Sequence, residues 1–551
     1  MNKMFDYLIV GGGSAGCVLA NRLSECGRFE VCLLEAGGSD NSIFIKMPSA
    51  VAVPLATPKF TWPFESEPES HLNGRRISSP RGRVIGGCSS INGMVYMRGH
   101  PLDFDEWETN GAKGWSYADV LPYFKRAEQK ADGGDEWRGS SGPLKTRYGK
   151  LANPLYRAFI EAAVDAGYAE SEDLNGYRQE GFGRFDMTVH NGLRWSTAAA
   201  YLKPVLKRKN LHVVYNAVAT KVNIIDSKAE AVEFTCAGRK HVYGARREIV
   251  LSSGPINSPK LLMLSGVGQP SELLEHGIKP VHNLPGVGKN LQDHISLYLQ
   301  VECKKPVSLN AINFIDKARI GVRWLLKRDG LGASNHFECG GFIRSRAGIK
   351  RPDIEIHFLP VAVREKSDPK LREHGFQVDV GPTKSKSVGH ITLRSSDPAD
   401  PPKISYNYLS QPEDWSEMRA CIRLVREIIR QPSLAGFAGE EIIPGSHLQS
   451  DEELNDFIAS HVESGFHPSG TCKMGCPMDP EAVVDPSLKV IGIDKLRVVD
   501  SSVIPVITNA NLNAPTIMIA EKAADLILEL EPLKPELADY YIPENWMTQQ
   551  R

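Results

Sequence analysis

The 551-residue chain lacks any run of about 18 consecutive apolar residues, so no segment reads as a membrane-spanning helix. A peripheral membrane contact would have to come from a surface helix or the tail. It also lacks an excess of charge: 65 Lys and Arg stand against 66 Asp and Glu, a net charge of -1 that gives no global field for DNA, RNA or another polyanion. A small, locally recognised partner is expected instead. Cysteine is sparse at ten residues, six of them single among apolar or Gly-rich neighbours, which excludes a disulfide framework and points to reduced thiols. The opening MNKMFDYLIVGGG enters an apolar strand after a few residues, without the charged region and cleavage site of a secretory signal, so a cytoplasmic location is expected. Low-complexity segments and internal repeats are missing too, and the length suggests two to four domains or one large intertwined pair.

What is present begins with Phe5 to Val10, a continuous apolar strand of the kind buried on both faces of a parallel sheet, followed at once by GGGSAG and a helix. Gly11, Gly13 and Gly16 have the G-x-G-x-x-G spacing: a tight turn, a backbone approach to pyrophosphate, and close helix–strand packing. A second strand, Val31 to Leu34, ends in Glu35, where an acid can accept hydrogen bonds from an adenosine ribose. Strand, turn, helix, strand and acid agree on a dinucleotide site, with NAD and FAD both compatible. A second Gly-rich stretch, Arg81 to Gly99, joins Gly86, Gly87, Cys88, Ser89, Ser90, Asn92 and Gly93 to interleaved apolar residues, so it suits a main chain lying against a flat ligand. No further strand-linked G-x-G-x-x-G occurs, which leaves one dinucleotide to do the redox work.

From about residue 306 to 465, short β-branched runs such as Ile354 to Phe358 alternate with polar turns and read as an antiparallel sheet. Apolar residues at helical spacing between Trp415 and Ile429 predict a helix covering it, stopped at Pro432. Leu496 to Asp500 reads as a strand, Thr516 to Leu530 as a long amphipathic helix, and Leu533 onward as a tail or edge contact.

Together these motifs resemble the glucose-methanol-choline flavoprotein oxidoreductases over nearly the whole chain. The segment Gly82 to Asp105 is similar to that family's first signature except for Cys88, GPINSPKLLMLSGVG from Gly254 fits the second, and LPGVGKNLQDH from Leu284, HPSGTCKMG from His467 and NLNAPTIMIAEKAAD from Asn511 are further shared blocks. The resemblance implies an α/β plus α+β fold: a Rossmann-like FAD-binding domain from residues 1–155, 193–302 and 464–551, and an antiparallel-sheet substrate domain, covered by helices, from 156–192 and 303–463. It implies that FAD is held by Gly11, Gly13, Ser14, Ala15, Gly16, Glu35, Ala36, Val84, Gly87, Asn92, Gly93, Met94, Val95, Val218, Asp500, Asn513 and Thr516. Ile91 stands where some relatives carry a flavin-linking His, so the FAD is expected to be non-covalent.

Alcohol oxidation needs a base for the hydroxyl proton beside the hydride acceptor. His467, in a small-residue segment before Pro468, is the candidate, and Asn511 resembles the second active-site position, where its amide could donate to a developing alkoxide. Cys472, Cys476, His461 and His467 lack zinc spacing, and no metal is expected. Stretches from Asp173, Gly332, His357 and Glu373 are similar to choline-oxidising members of the family. They imply oxidation of choline to betaine aldehyde, and onward to glycine betaine through the aldehyde hydrate. Under that reading Glu338 faces the ammonium group, with Phe466, Phe337 and Trp62 as aromatic walls. The alternatives are another primary, polyol or aromatic alcohol, or a non-catalytic FAD-binding protein. The acceptor expected is quinone-like, or oxygen, with a peripheral location at the inner face of the cell membrane.

Overall fold

The computed structural model describes residues 3–312, 314–362 and 374–551; Val363 and Glu373, each within one of the choline-oxidiser-like stretches, lie outside them. The first strand, Lys3–Val10, is inaccessible from Tyr7 onward except at its exposed start, and it is paired on both edges in parallel, by Val31–Leu34 and by Arg239–Leu251. Leu211–Val214 and Leu496–Val498 extend the parallel run outward, while Lys228–Cys236 and Ala217–Ile225 fold back as antiparallel hairpins on one side. This continuous burial explains the unbroken apolar runs of the parallel strands.

Three helices begin just past the carboxyl ends of these strands: Ser14–Ser24, Gly254–Leu264 and Asn513–Leu528. Gly16 is required where the first helix crosses its strand, because a Cβ there would lie 1.9 Å from the Gly11 carbonyl oxygen. The last helix, expected to be amphipathic, is buried on nearly every side from Ala514 to Asp525. Its polar members are absorbed by ion pairs: Glu521 takes Arg22 at 2.9 Å and Arg126 at 2.8 Å.

The second large sheet runs Ala438–Ile443, Ile295–Cys303, Gly375–Pro382, Ile354–Leu359, Cys339–Ile343, Gly181–Arg184, antiparallel throughout. Ile295–Cys303 pairs here, although the segment 193–302 was expected to lie in the dinucleotide unit. One face is apolar, with Ile354, Ile356, Phe358, Phe376, Val378 and Val380 all at or below 1% exposure, and the helix Pro412–Ile429 packs against Gly375–Pro382. The alternate residues Ser296, Tyr298, Glu355, His357, Asp379 and Gly381 face the first sheet across a cavity. Their polarity therefore marks an internal wall rather than solvent.

The tail after Leu528 has no helix or strand. It runs from Leu533 N–H at Tyr123 Oη (3.1 Å) to the segments expected in the substrate unit, through Tyr541 N–H to the Tyr177 carbonyl (2.8 Å) and Gly348 N–H to the Trp546 carbonyl (2.8 Å).

Candidate active site

A cavity of about 660 Å³ lies between the two sheets. Its long arm is lined by Gly11, Gly13, Ser14, Ala15, Glu35, Ala36, Gly87, Val218, Asp500, Asn513 and Thr516, so most of the residues expected at the cofactor converge there. Gly16 and Val84 do not line it: Gly16 is the packing glycine described above, and Val84 sits behind the wall with Ile45 and Phe60, clustered against the lining residue Ile91. Gly87 has φ +52°, and a Cβ on it would stand 2.7 Å from the Gly13 Cα, so the two Gly-rich loops touch backbone to backbone.

Each anchor in this arm has a traceable hydrogen-bond set. Glu35 accepts from Gly12 N–H (2.8 Å) through Oε2 and from Gly37 N–H (2.6 Å) through Oε1. Burial raises its pKa against these bonds. Asp500 ties its own turn to the helix Gly254–Leu264, accepting from Gly254 N–H (2.9 Å), Ser258 Oγ (2.6 Å) and Ser502 N–H (2.8 Å). Ser14 Oγ donates to Asn513 Oδ1 (2.8 Å), so the starts of the first and last helices are held together at the cavity. Two helix N-termini, a glycine-lined backbone contact and a ribose-side acid fit a dinucleotide with its pyrophosphate between them.

Asn92, Gly93, Met94 and Val95 form the next stretch of wall. Asn92 Oδ1 accepts from Met94 N–H (3.1 Å) and from Arg194 Nη1 (2.9 Å). Arg194 is 4% exposed and has no carboxylate partner among the described residues; burial pushes its pKa down to about 9. Met94 (φ +61°) and Phe466 (φ +62°) both adopt left-handed backbone, a strain concentrated at functional sites.

His467 and Asn511 meet at this wall, Asn511 Nδ2 lying 3.1 Å from His467 Nε2. The neighbouring contacts fix the protons. His294 Nε2 lies 2.9 Å from the Thr508 carbonyl, which can only accept, so Nε2 carries the hydrogen and His294 Nδ1 is a lone pair. His467 Nδ1, 3.0 Å away, must therefore donate, which leaves its Nε2 as a lone pair directed at the Asn511 amide. Asn511 Oδ1 is buried without a partner. Burial, with His294 and His357 nearby, holds the His467 pKa well below the usual imidazole range, so the ring is neutral and basic at Nε2. The residue before His294 holds the backbone: Asp293 Oδ1 accepts from His467 N–H (2.7 Å), while its Oδ2 is held by Tyr408 Oη (2.6 Å) and Ser464 Oγ (2.5 Å). The Asp293-His294 dipeptide thus clamps His467 by main chain and by ring. Both residues belong to the LQDH block, which was legible as a motif but not as a partner of His467.

The four residues expected at the substrate end do not all meet. Phe337 and Phe466 line the cavity. Trp62 does too, but the Arg83 guanidinium already lies 4.3 Å from its ring centre, a poor neighbour for a second cation. Glu338 does not line the cavity: its Oε2 accepts from Leu151 N–H (2.6 Å) and its Oε1 from Ser334 Oγ (2.5 Å), which pins the Gly149–Leu151 turn to the strand Cys339–Ile343. The reason is the two-residue repeat of extended chain, which turns Glu338 outward when Phe337 turns in. Two further carboxylates that line the cavity, Glu355 and Asp379 on the antiparallel sheet, were missed; in Asp353 to Phe358 the alternation was visible, but not which face was inside. Among the described residues no group of three or more His, Cys, Asp or Glu side chains could hold a metal ion.

Comparison with known proteins gives consistent results. Two GMC oxidoreductase family models match residues 5–296 and 385–520. The chain is 53% identical over 554 aligned residues to a protein of Vibrio vulnificus (strain YJ016) named oxygen-dependent choline dehydrogenase, covering 100% of this chain and 99% of that one. It is 51% identical to a protein of the same name from Brucella ovis (strain ATCC 25840 / 63/290 / NCTC 10512), covering 99% and 100%. Among solved structures, pyridoxine 4-oxidase from Mesorbium loti superposes with a TM-score of 0.87 at 31% identity, covering 96% of this chain and 99% of that one. A formate oxidase variant from Aspergillus oryzae RIB40, studied for FAD modification, gives 0.90 at 27%, covering 96% and 98%.

Proposed function

The chain belongs to the GMC oxidoreductase family, and from that premise we propose that it is an FAD-dependent alcohol oxidoreductase with choline as a substrate, in which His467 is the base. The observation that carries the reading is the lone pair left on His467 Nε2 by the His294 contact, in a wall continuous with the dinucleotide arm. When bound, FAD supplies the acceptor for the hydride of the carbinol carbon. Nε2 takes the hydroxyl proton, and Asn511 turns from capping that nitrogen to hydrogen-bonding the substrate oxygen. Phe337 and Phe466 exclude water and offer ring faces to the alkyl end of the substrate. The dinucleotide and substrate units correspond to the two sheets, with the boundary drawn before Ile295.

The test is anaerobic mixing of purified holoenzyme with choline, benzyl alcohol and a medium-chain alkanol. Bleaching of the flavin by choline supports the reading; bleaching by the other two alone replaces choline, and no bleaching by any alcohol removes catalysis.

The acceptor we propose is a membrane quinone. The helix Phe314–Lys327 supports it, since Phe314, Ile315, Ala318, Val322, Leu325 and Leu326 are all exposed and fall within about 120° of arc at 100° per residue. Arg319 and Arg323 border this face, and Trp324, on the opposite side, is 1% exposed. An exposed apolar stripe suits a lipid surface, with Arg319 and Arg323 beyond one edge and paired to Asp316 (3.3 Å) and Asp329 (2.7 Å). No helix among the described residues is long and apolar enough to cross a membrane. Flotation with anionic liposomes, lost on Leu326→Asp, together with faster reoxidation by quinone than by air, is the expected result. Oxygen, the acceptor carried in the relatives' printed name, wins if air is faster.

A further inference from the structure

Glu355 and Asp379 stand on neighbouring antiparallel strands and on the same, cavity-lining face. Glu355 is paired with Gly381 and Asp379 with His357, which makes the two acids diagonal neighbours at roughly 7 Å. Glu355 is 6% exposed, and its Oε1 has no hydrogen-bond partner; the nearest nitrogen, His357 Nε2, is 3.4 Å away. That imidazole is no counter-ion, because burial brings its pKa down to about 4. Asp379 Oδ1 is likewise without a partner. So is Thr383 Oγ1, on a residue 1% exposed that lines the same cavity just past the end of the Gly375–Pro382 strand. Among the described residues no Lys or Arg makes an ion pair with either acid.

Buried acceptors are normally satisfied, and leaving one unsatisfied costs as much as removing it from water without compensation. Two buried acids and a hydroxyl, each with an unpartnered oxygen although Ser296 hydrogen-bonds the Asp379 carboxyl, share one wall of a substrate cavity; burial raises the pKa of both acids, and a ligand that is both cationic and a hydrogen-bond donor would hold them ionised. A quaternary ammonium supplies charge alone. A protonated amine supplies charge and N–H groups, and its bonds to carboxylate are the strong, charge-assisted kind. Position fits as well: the acids and His467 line one cavity, and His357, which stands opposite Asp379 in the sheet, is near enough to His467 to disfavour the protonated form of that ring, so acids and base share one chamber.

We infer that Glu355, Asp379 and Thr383 form a subsite for a protonated amine, and that the enzyme oxidises amino alcohols whose nitrogen bears at least one hydrogen in preference to their quaternary counterparts. This rests on the alcohol-oxidising reading given above, and it widens the substrate class beyond choline.

Two experiments on the holoenzyme test it. The first compares trimethylammonium and tetramethylammonium as inhibitors of choline oxidation by wild-type enzyme, two cations of similar size of which only the first donates a hydrogen bond. Trimethylammonium should bind at least about tenfold tighter, one charge-assisted bond's worth; equal inhibition overturns the inference. The second compares kcat/KM for N,N-dimethylethanolamine, choline and the neutral isostere 3,3-dimethylbutan-1-ol. The ratio of the amine to the isostere should fall at least about tenfold in Glu355→Gln and Asp379→Asn. Unchanged ratios in both variants, with choline and the isostere still turned over, would overturn the subsite and leave the alcohol-oxidising reading intact. Failure of every alcohol to reduce the wild-type flavin would remove both.

Discussion

Replacing His294 by Ala should slow flavin reduction without displacing FAD or weakening substrate binding, because His294 acts on catalysis only through the tautomer of His467. In the wild type the 3.0 Å contact between the two Nδ1 atoms holds the His467 hydrogen away from Nε2. Without it, Nδ1–H is a buried donor with no acceptor, and the ring gains by moving its hydrogen to Nε2, where the Asn511 amide can flip to accept it through Oδ1. Leaving the donor unsatisfied costs roughly 1–3 kcal/mol, which is about 5- to 150-fold in the fraction of ring carrying the lone pair at Nε2. Anaerobic stopped-flow reduction by choline should therefore fall by that factor, with the apparent substrate dissociation constant unchanged. His294→Gln, whose side-chain carbonyl can accept from Nδ1–H, should recover part of the rate, while His294→Leu should not. Equal rates in wild type and His294→Ala, or equal losses in the Gln and Leu variants, would refute the reasoning.

Other outcomes follow from the same geometry. Glu338→Gln should lower stability by about 1–2 kcal/mol, because its amide must donate to Ser334 Oγ and only a neutral carbonyl is left to accept from Leu151 N–H, while the preference between choline and neutral alcohols stays put; thermal unfolding and a substrate panel check both halves. Asp379, whose pKa burial pushes up to about 7, stays protonated in the folded state where the unfolded chain has already ionised. The folded state then binds more protons, so this group's contribution to stability falls as pH rises from about 4 through about 7. Asp379→Asn should thus be more stable than wild type at pH 8, by up to about 4 kcal/mol and with a higher unfolding temperature, and the difference should vanish near pH 4; a variant less stable at pH 8 would contradict this. Protein denatured and precipitated should release all its flavin into the supernatant, since Ile91 lines the cavity where a linking side chain would stand. Flavin left on the pellet would show a covalent bond.

The dinucleotide side was legible because its signals are local. Strand, glycine turn, helix and acid follow one another within Phe5 to Glu35, and each glycine has a steric reason that the structure repeats at Gly16. The antiparallel sheet and its covering helix were legible from periodicity, but the direction of each face was not. The neighbours Phe337 and Glu338 illustrate the limit: a motif aligns both, yet extended chain sends one into the cavity and the other to Leu151. For the same reason Glu355 and Asp379 looked like the polar side of ordinary strands, since alternation cannot tell solvent from an internal wall. The His294–His467 contact spans 173 residues, and no local pattern announces a pairing of that range. The pairing of Ile295–Cys303 in the antiparallel sheet was not legible, because the strand follows the LQDH block directly and changes sheets without a turn-rich linker.

The central claim is that His467 removes the hydroxyl proton, and the most direct test is anaerobic reduction of bound flavin by choline in wild type and in His467→Ala, with the flavin content of both measured first. The expected result is prompt bleaching in the wild type and none, on the same timescale, in a variant that still carries its FAD. Bleaching of the His467→Ala flavin at close to the wild-type rate would contradict it.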